Sequence, residues 1–175
     1  MAANTAAFGM RPIARMGDRW ACTLMLPAMK ESTGHAVKAF LTRLRGCAHR
    51  VVLPNHAHVR RGTAGNVLVN GSSQSGTTLI CDGAGASITN AVRAGDYLTL
   101  ENRLYMIADD ANSDGSGNLV INLTHPLYIA PTNNATVTLV NPTGRFLLMG
   151  ESVSWTRTPG DLVQFAPLEF LEDIA

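Results

Sequence analysis

Long apolar runs are missing from this sequence. No stretch approaches the roughly 18 to 20 uninterrupted apolar residues that a membrane-spanning helix needs, and the N-terminus, with Asn4, Thr5, Arg11 and Pro12, lacks the apolar core of a secretory signal. The expectation is a protein made and kept in a cytosol, with no membrane partner. Cysteine is scarce as well: Cys22, Cys47 and Cys81 are odd in number, widely spaced and form no C-x-x-C unit. That spacing argues against a disulfide framework and a zinc knuckle, and predicts small buried apolar residues instead. The signatures of common chemistries are also missing. Gly71-Ser72-Ser73-Gln74-Ser75 fails the nucleophile-elbow pattern at its last position, and neither a dinucleotide-binding glycine turn nor a phosphate loop occurs. No catalytic residue, cofactor or metal ligand is expected.

What is present is enough apolar material, 46% of 175 residues, for one core or for a modest core with an appended module. The net charge of +1 conceals a division. Residues 1–81 hold ten Lys/Arg against two acids, and residues 82–175 hold four against eleven. Opposite halves of this kind either cancel within the fold or attract neighbouring copies head to tail and set their register.

The local pattern is mostly that of strands. Trp20, Cys22, Leu24 and Leu26 alternate with Ala21, Thr23 and Met25, which predicts a strand with one strongly buried face, stopped by Pro27. From about Ala28 to Arg45 the period becomes helical, with Thr33, Val37, Phe40, Leu41 and Leu44 on one stripe. Gly46 supplies a left-handed closing residue, and Arg43 and Arg45 complement the negative end of the dipole. This is the one helix expected. A short strand, Arg50 to Leu53, follows and ends at Pro54. Beyond it the texture turns to Gly, Ser, Asn and Thr, with β-prone runs at 67–69, 78–81, 97–100, 104–108, 119–123 and 137–140. Asn70-Gly71 suits a tight hairpin, Glu101-Asn102 a second one, and Ser113 to Gly117 a longer reversal. After Asn141-Pro142-Thr143-Gly144, three more strands are expected near 145–149, 153–156 and 162–171, the last kinked at Pro167. The expected fold class is mainly β with one α-helix. A split barrel or sandwich main domain, 8–58 with 142–175, would be interrupted by a small antiparallel barrel or sandwich module, 59–141.

Three constellations invite a functional reading. Asp110-x-Asn112-x-Asp114-Gly115 opens like a calcium loop, but position twelve is Ile121, where a bidentate glutamate belongs, so a solvated hairpin tip is expected. His56-x-His58 with His49 nearby resembles a metal pair, yet no carboxylate lies between Glu31 and Asp82 in sequence to orient it. Arg43, Arg45, Arg50, Arg60 and Arg61 form an acid-free basic stretch. It lacks the aromatic residues that single-strand binders interleave with charge, so these five arginines are the candidate protein interface and nucleic acid is the less favoured partner.

The order of landmarks resembles a known family. Trp20 to Pro27 with Met29-Lys30 is followed by Phe40-Leu41-Thr42-Arg43-Leu44-Arg45-Gly46, Ala94-Gly95-Asp96-Tyr97-Leu98 and Ser113 to Asn118. Pro126-Leu127 and Asn141 to Phe146 complete the series. Together these resemble the distal tail proteins of tailed bacteriophages, over about 18–171. The resemblance implies a non-enzymatic virion component of the tail tip, a homo-oligomeric and usually sixfold ring. Such a ring joins the tail tube protein to the tail-tip hub, with the tape measure protein as a further contact. It also implies a belt-like main domain. The alternatives are a head-to-tail connector or tube-end subunit and, from other classes, a nucleic-acid-binding module or a small cell-envelope hydrolase or carbohydrate-binding domain.

Overall fold

The computed structural model describes residues 19–55, 58–150 and 152–174. In chain order the elements begin with β1 (Ala21–Leu24), β2 (Met29–Lys30), α1 (Glu31–Arg43), β3 (Arg50–Pro54), β4 (Val67–Val69), β5 (Thr78–Asp82) and β6 (Tyr97–Leu100). They continue with β7 (Arg103–Met106), β8 (Leu119–Asn122), β9 (Thr136–Thr138), β10 (Thr143–Leu148), β11 (Trp155–Thr158), β12 (Leu162–Phe165) and β13 (Leu168–Glu172). The protein is mainly β with a single α-helix among the described residues, as its sequence texture implies.

Three antiparallel sheets result: β1-β13-β10-β3, β11-β12-β2 and β7-β6-β9-β4-β5-β8. Their apolar residues gather into two clusters. One is built from residues between Ala64 and Leu139, in the strands of the six-stranded sheet and the loops that connect them. The other joins Leu41 and Leu44 of α1 to Phe146, Leu148, Val163, Phe165, Leu168 and Phe170.

The six-stranded sheet follows strand periodicity closely. Val67, Val69, Leu79, Cys81, Leu119 and Ile121 point inward and are almost wholly buried, while Leu68, Ile80 and Val120 between them point outward. Full burial of one such aliphatic side chain contributes about 1.5–3 kcal/mol. The two-residue Glu101-Asn102 connection has φ of 51° and 66°, the paired left-handed conformation that matches strand twist. The sheet is not closed into a barrel: β7 and β8 meet only at the isolated bridge Ile107↔Leu123.

Several local expectations are corrected. The Asn70-Gly71 dipeptide does not make a two-residue hairpin. The chain runs on to Thr78, and Gln74 folds back, its amide bonding Asn70 O and Ile80 O at 2.9 and 3.0 Å while its Oε1 accepts from Ile80 N at 2.7 Å. That side chain substitutes for backbone pairing and makes the longer loop stable. Strand β1 has no strongly buried face, because it is an edge strand, and Cys22 and Cys47 are exposed; of the three cysteines only Cys81 is buried.

Helix α1 starts at Glu31, whose N–H donates to Asp161 O at 2.8 Å, and ends by Leu44, after which Arg45 itself adopts a left-handed φ of 48° and Gly46 continues at 62°. Its buried stripe is Gly34, Leu41 and Leu44, with Val37 half-buried, whereas Thr33 and Phe40 face solvent. The stripe is rotated because Gly34 lets the helix lie close on β12: a Cβ there would stand 3.4 Å from Val163 Cβ.

Candidate functional site

The two apolar clusters meet along a seam built by β13, β10, β6 and β7. Glu172 sits in it with no accessible surface; its carboxylate accepts Trp20 N–H at 3.2 Å and Leu104 N–H at 3.0 Å. Burial raises its pKa above the ordinary glutamate value, against the lowering effects of those two amides and of Arg103 and Arg19. Trp20 Nε1 donates to Leu104 O at 2.9 Å, and the Thr99 hydroxyl both donates to Thr143 O and accepts from Thr143 N at 2.6 Å. Arg103 donates to Ile174 O at 2.6 Å and covers the Tyr128 ring. Around this polar seam runs a chain of rings: His58 edge-on to Tyr97, Tyr97 to Trp20, Trp20 to His125, and His125 stacked on Tyr105 at 5.1 Å.

Beside the seam lies an apolar groove of about 270 Å³. Its walls include every residue from Trp20 to Leu24 on one side, Leu53 to Asn55 on the other, and Tyr97, Leu104 and Phe146 beneath. Strands β1 and β3 are the two outer strands of the same sheet, so that sheet curls until its edges face one another across the groove. Cys22 lies in this wall, and burial raises its thiol pKa, which favours the unreactive thiol form.

The five arginines proposed as an interface fall into three environments. Arg43 and Arg45 stand exposed at the end of α1. Arg50 pairs with Asp173 at 2.7 Å, and Asp173 also takes Arg145 at 3.0 Å. Arg60, half-buried, and Arg61, exposed, fold back onto the backbone: their guanidinium groups hold Ala64 O and Ala94 O. Desolvation lowers the Arg60 pKa, with Asp96 opposing it. The organiser of this region is buried Asp96, which accepts Arg61 N–H at 3.0 Å and Gly62 N–H at 2.7 Å and lies 3.1 Å from His58 Nε2. The charge division along the chain is thus partly neutralised within the fold, through Arg50–Asp173 and Arg61–Asp96 at 2.7 and 4.0 Å.

The remaining sequence constellations are occupied by the protein's own groups. Asp114 accepts Ser116 N–H and Asn118 N–H at 2.8 Å and Asn118 Nδ2 at 2.7 Å, and these bonds, the Asn118 side chain foremost, lower its pKa. Asp110 accepts Ala94 N–H at 2.8 Å and pairs with Arg93, while Asn112 Oδ1 accepts Asn90 N–H at 2.7 Å. All three thus already accept hydrogen bonds from the protein's own amides. His56 lies outside the described residues, His58 belongs to the Asp96 cluster, and His49 is exposed. Among the described residues no three His, Cys, Asp or Glu side chains stand together as metal ligands would.

Sequence reasoning missed Glu172, Asp96 and Thr99 as organising residues, since their partners lie 34 to 152 positions away along the chain. A detectable trace existed only for Asp96, which follows Gly95 at the start of a strand run. The chain matches no protein-family model and no curated protein.

Proposed function

We propose that the chain is a structural, non-enzymatic subunit of a tailed-phage tail tip, assembling into a ring that adapts the tail tube to the tail-tip hub. One observation carries the assembly part of this reading: each of the three sheets ends in an edge strand that exposes a large apolar side chain. These are Val52 on β3, Trp155 on β11 and Val120 on β8, at 55%, 45% and 51% exposure. On β5, Ile80 lies directly opposite Val120 and extends that patch. Open strand edges with apolar side chains are surfaces that association covers. The tail-tip role rests on the ordered landmarks described above, and a belt-like part and an inserted β-module are assigned to the two apolar clusters on the same basis. Arg43 and Arg45 provide exposed cations at the helix end for contact with the acidic second half of a neighbour. With Arg50, Arg60 and Arg61 engaged internally, the stretch offers a phosphate backbone only those two wholly uncommitted arginines, which favours protein over nucleic acid.

Native mass spectrometry of the purified chain tests this. A closed oligomer, six copies by resemblance, is expected, with Arg43→Glu/Arg45→Glu shifting the population toward monomer by roughly tenfold, the size of a 1.4 kcal/mol loss. A chain that stays monomeric at high concentration and turns over a small molecule would overturn the reading.

A further inference from the structure

The groove between β1 and β3 has the chemistry of a slot for one more strand. In an antiparallel ladder successive residues alternate in which neighbour their backbone groups face. Glu172 N–H donates to Trp20 O, so Trp20, Cys22 and Leu24 face β13, and the N–H and C=O of Ala21 and Thr23 point the other way. On β10, Arg145 O accepts from Asp173 N, so Arg145 faces β13. Gly144 and Phe146 then face β3, opposite Leu53 and Val51, and the backbone of Val52 between them points out of the sheet. Of the two edges, β1 therefore borders the groove with outward-facing donors and acceptors, whereas the outward residue of β3 that lines it, Pro54, has no N–H.

The groove is also apolar and neutral. Phe146, Leu104 and Leu53 line it, and none of its lining residues is charged. At about 270 Å³ it falls below the roughly 300–1,000 Å³ typical of small-molecule clefts, but it can take the inward side chains of a short strand. A charged side chain entering it would lose its hydration without gaining a partner.

We propose that this groove receives an extended, uncharged segment of a partner polypeptide, which adds to the edge of β1 that is unpaired among the described residues and places alternate apolar side chains against Phe146 and Leu104. This rests on the reading that the chain assembles through its sheet edges, and it names the chemistry of what one edge takes. Strand addition of this kind derives affinity from main-chain hydrogen bonds and specificity from the alternate side chains.

The probe is a capped hexapeptide of alternating threonine and valine, titrated into the full chain while the backbone amides of Ala21 and Thr23 are followed by NMR. Saturable shifts at those amides are expected. A peptide with proline at its centre, or with glutamate for valine, should bind at least tenfold more weakly. Thr23→Pro removes an outward donor and leaves the pairing of Cys22 and Leu24 with β13 in place, since an edge strand tolerates proline where its N–H faces outward. It should weaken the peptide at least tenfold. Should Thr23→Pro prove poorly folded, Cys22→Glu, which puts a carboxylate on an exposed wall residue, must produce the same loss. No saturable shift, or equal binding of the proline and alternating peptides, overturns the proposal. If native mass spectrometry still finds a ring in that case, only the groove assignment falls and the assembly reading stands. If Thr23→Pro dissolves the ring, the inserted segment comes from a second copy.

Discussion

At the scale of single residues, the polar groups with most consequence lie at the seam. The Glu172 carboxylate satisfies amides from β7 and from the residue preceding β1, and does so without solvent. Its folded-state pKa is raised by burial, so the folded chain holds that proton more tightly than the unfolded chain does. Its titration therefore contributes stability that is present below the unfolded value and is lost as pH rises through the folded value. Glu172→Gln does not titrate, so its stability relative to wild type should climb as pH rises from the ordinary glutamate range toward neutrality. Paired thermal melts across that range check this; a constant difference would show that Glu172 does not titrate differently in the fold. None of this was legible locally. The Glu172 neighbourhood reads as the end of an alternating strand, and only long-range pairing turns that side chain inward onto two amides. The five arginines teach the same lesson. They look alike in sequence, yet Arg60 and Arg61 are bent onto carbonyls by a loop that Asp96 holds, and Arg43 and Arg45 are not.

At the scale of elements, periodicity located most strands, most plainly where a short run alternates between buried and exposed positions, as in β4, β5, β8 and β10. It failed where a tertiary neighbour chose between faces. Hydrophobicity placed Phe40 on the inner stripe of α1, but the close approach at Gly34 rotates the helix so that Leu41 and Leu44 enter the core and Phe40 remains 48% exposed. The two readings differ measurably. Leu41→Ala should cost about 2–5 kcal/mol, the range for removing a buried leucine side chain. Phe40→Ser should stay within about 0.5–1 kcal/mol, since it removes an exposed ring and makes only a small change in helix propensity. Chemical denaturation of the two variants decides between the inner and outer positions. A comparable loss for both would put Phe40 back in the core. The cysteines follow the same rule: Cys81 alternates inward in β5, where burial pushes its thiol up to about 12, while edge position leaves Cys22 exposed although its spacing is that of a core residue.

At the scale of the whole molecule, the two apolar clusters are unequal. The six-stranded sheet encloses eighteen buried apolar residues, whereas the cluster under α1 encloses eight and opens on one side into the groove. Local opening is governed by how much apolar contact an opened segment forfeits. The amides of β4, β5, β6 and β9 should therefore exchange most slowly, and those of α1, β1 and β3 first, in hydrogen-exchange mass spectrometry. The groove makes this pattern sensitive to its occupant. An added strand would pair the outward amides of Ala21 and Thr23 and cover Phe146, so the probe peptide should slow exchange in β1 and β3 while leaving β4 and β5 unchanged. Uniform slowing across both clusters would mean that the seam, with its Glu172 and Thr99 bonds, couples them into one cooperative unit, and that the smaller cluster does not open by itself.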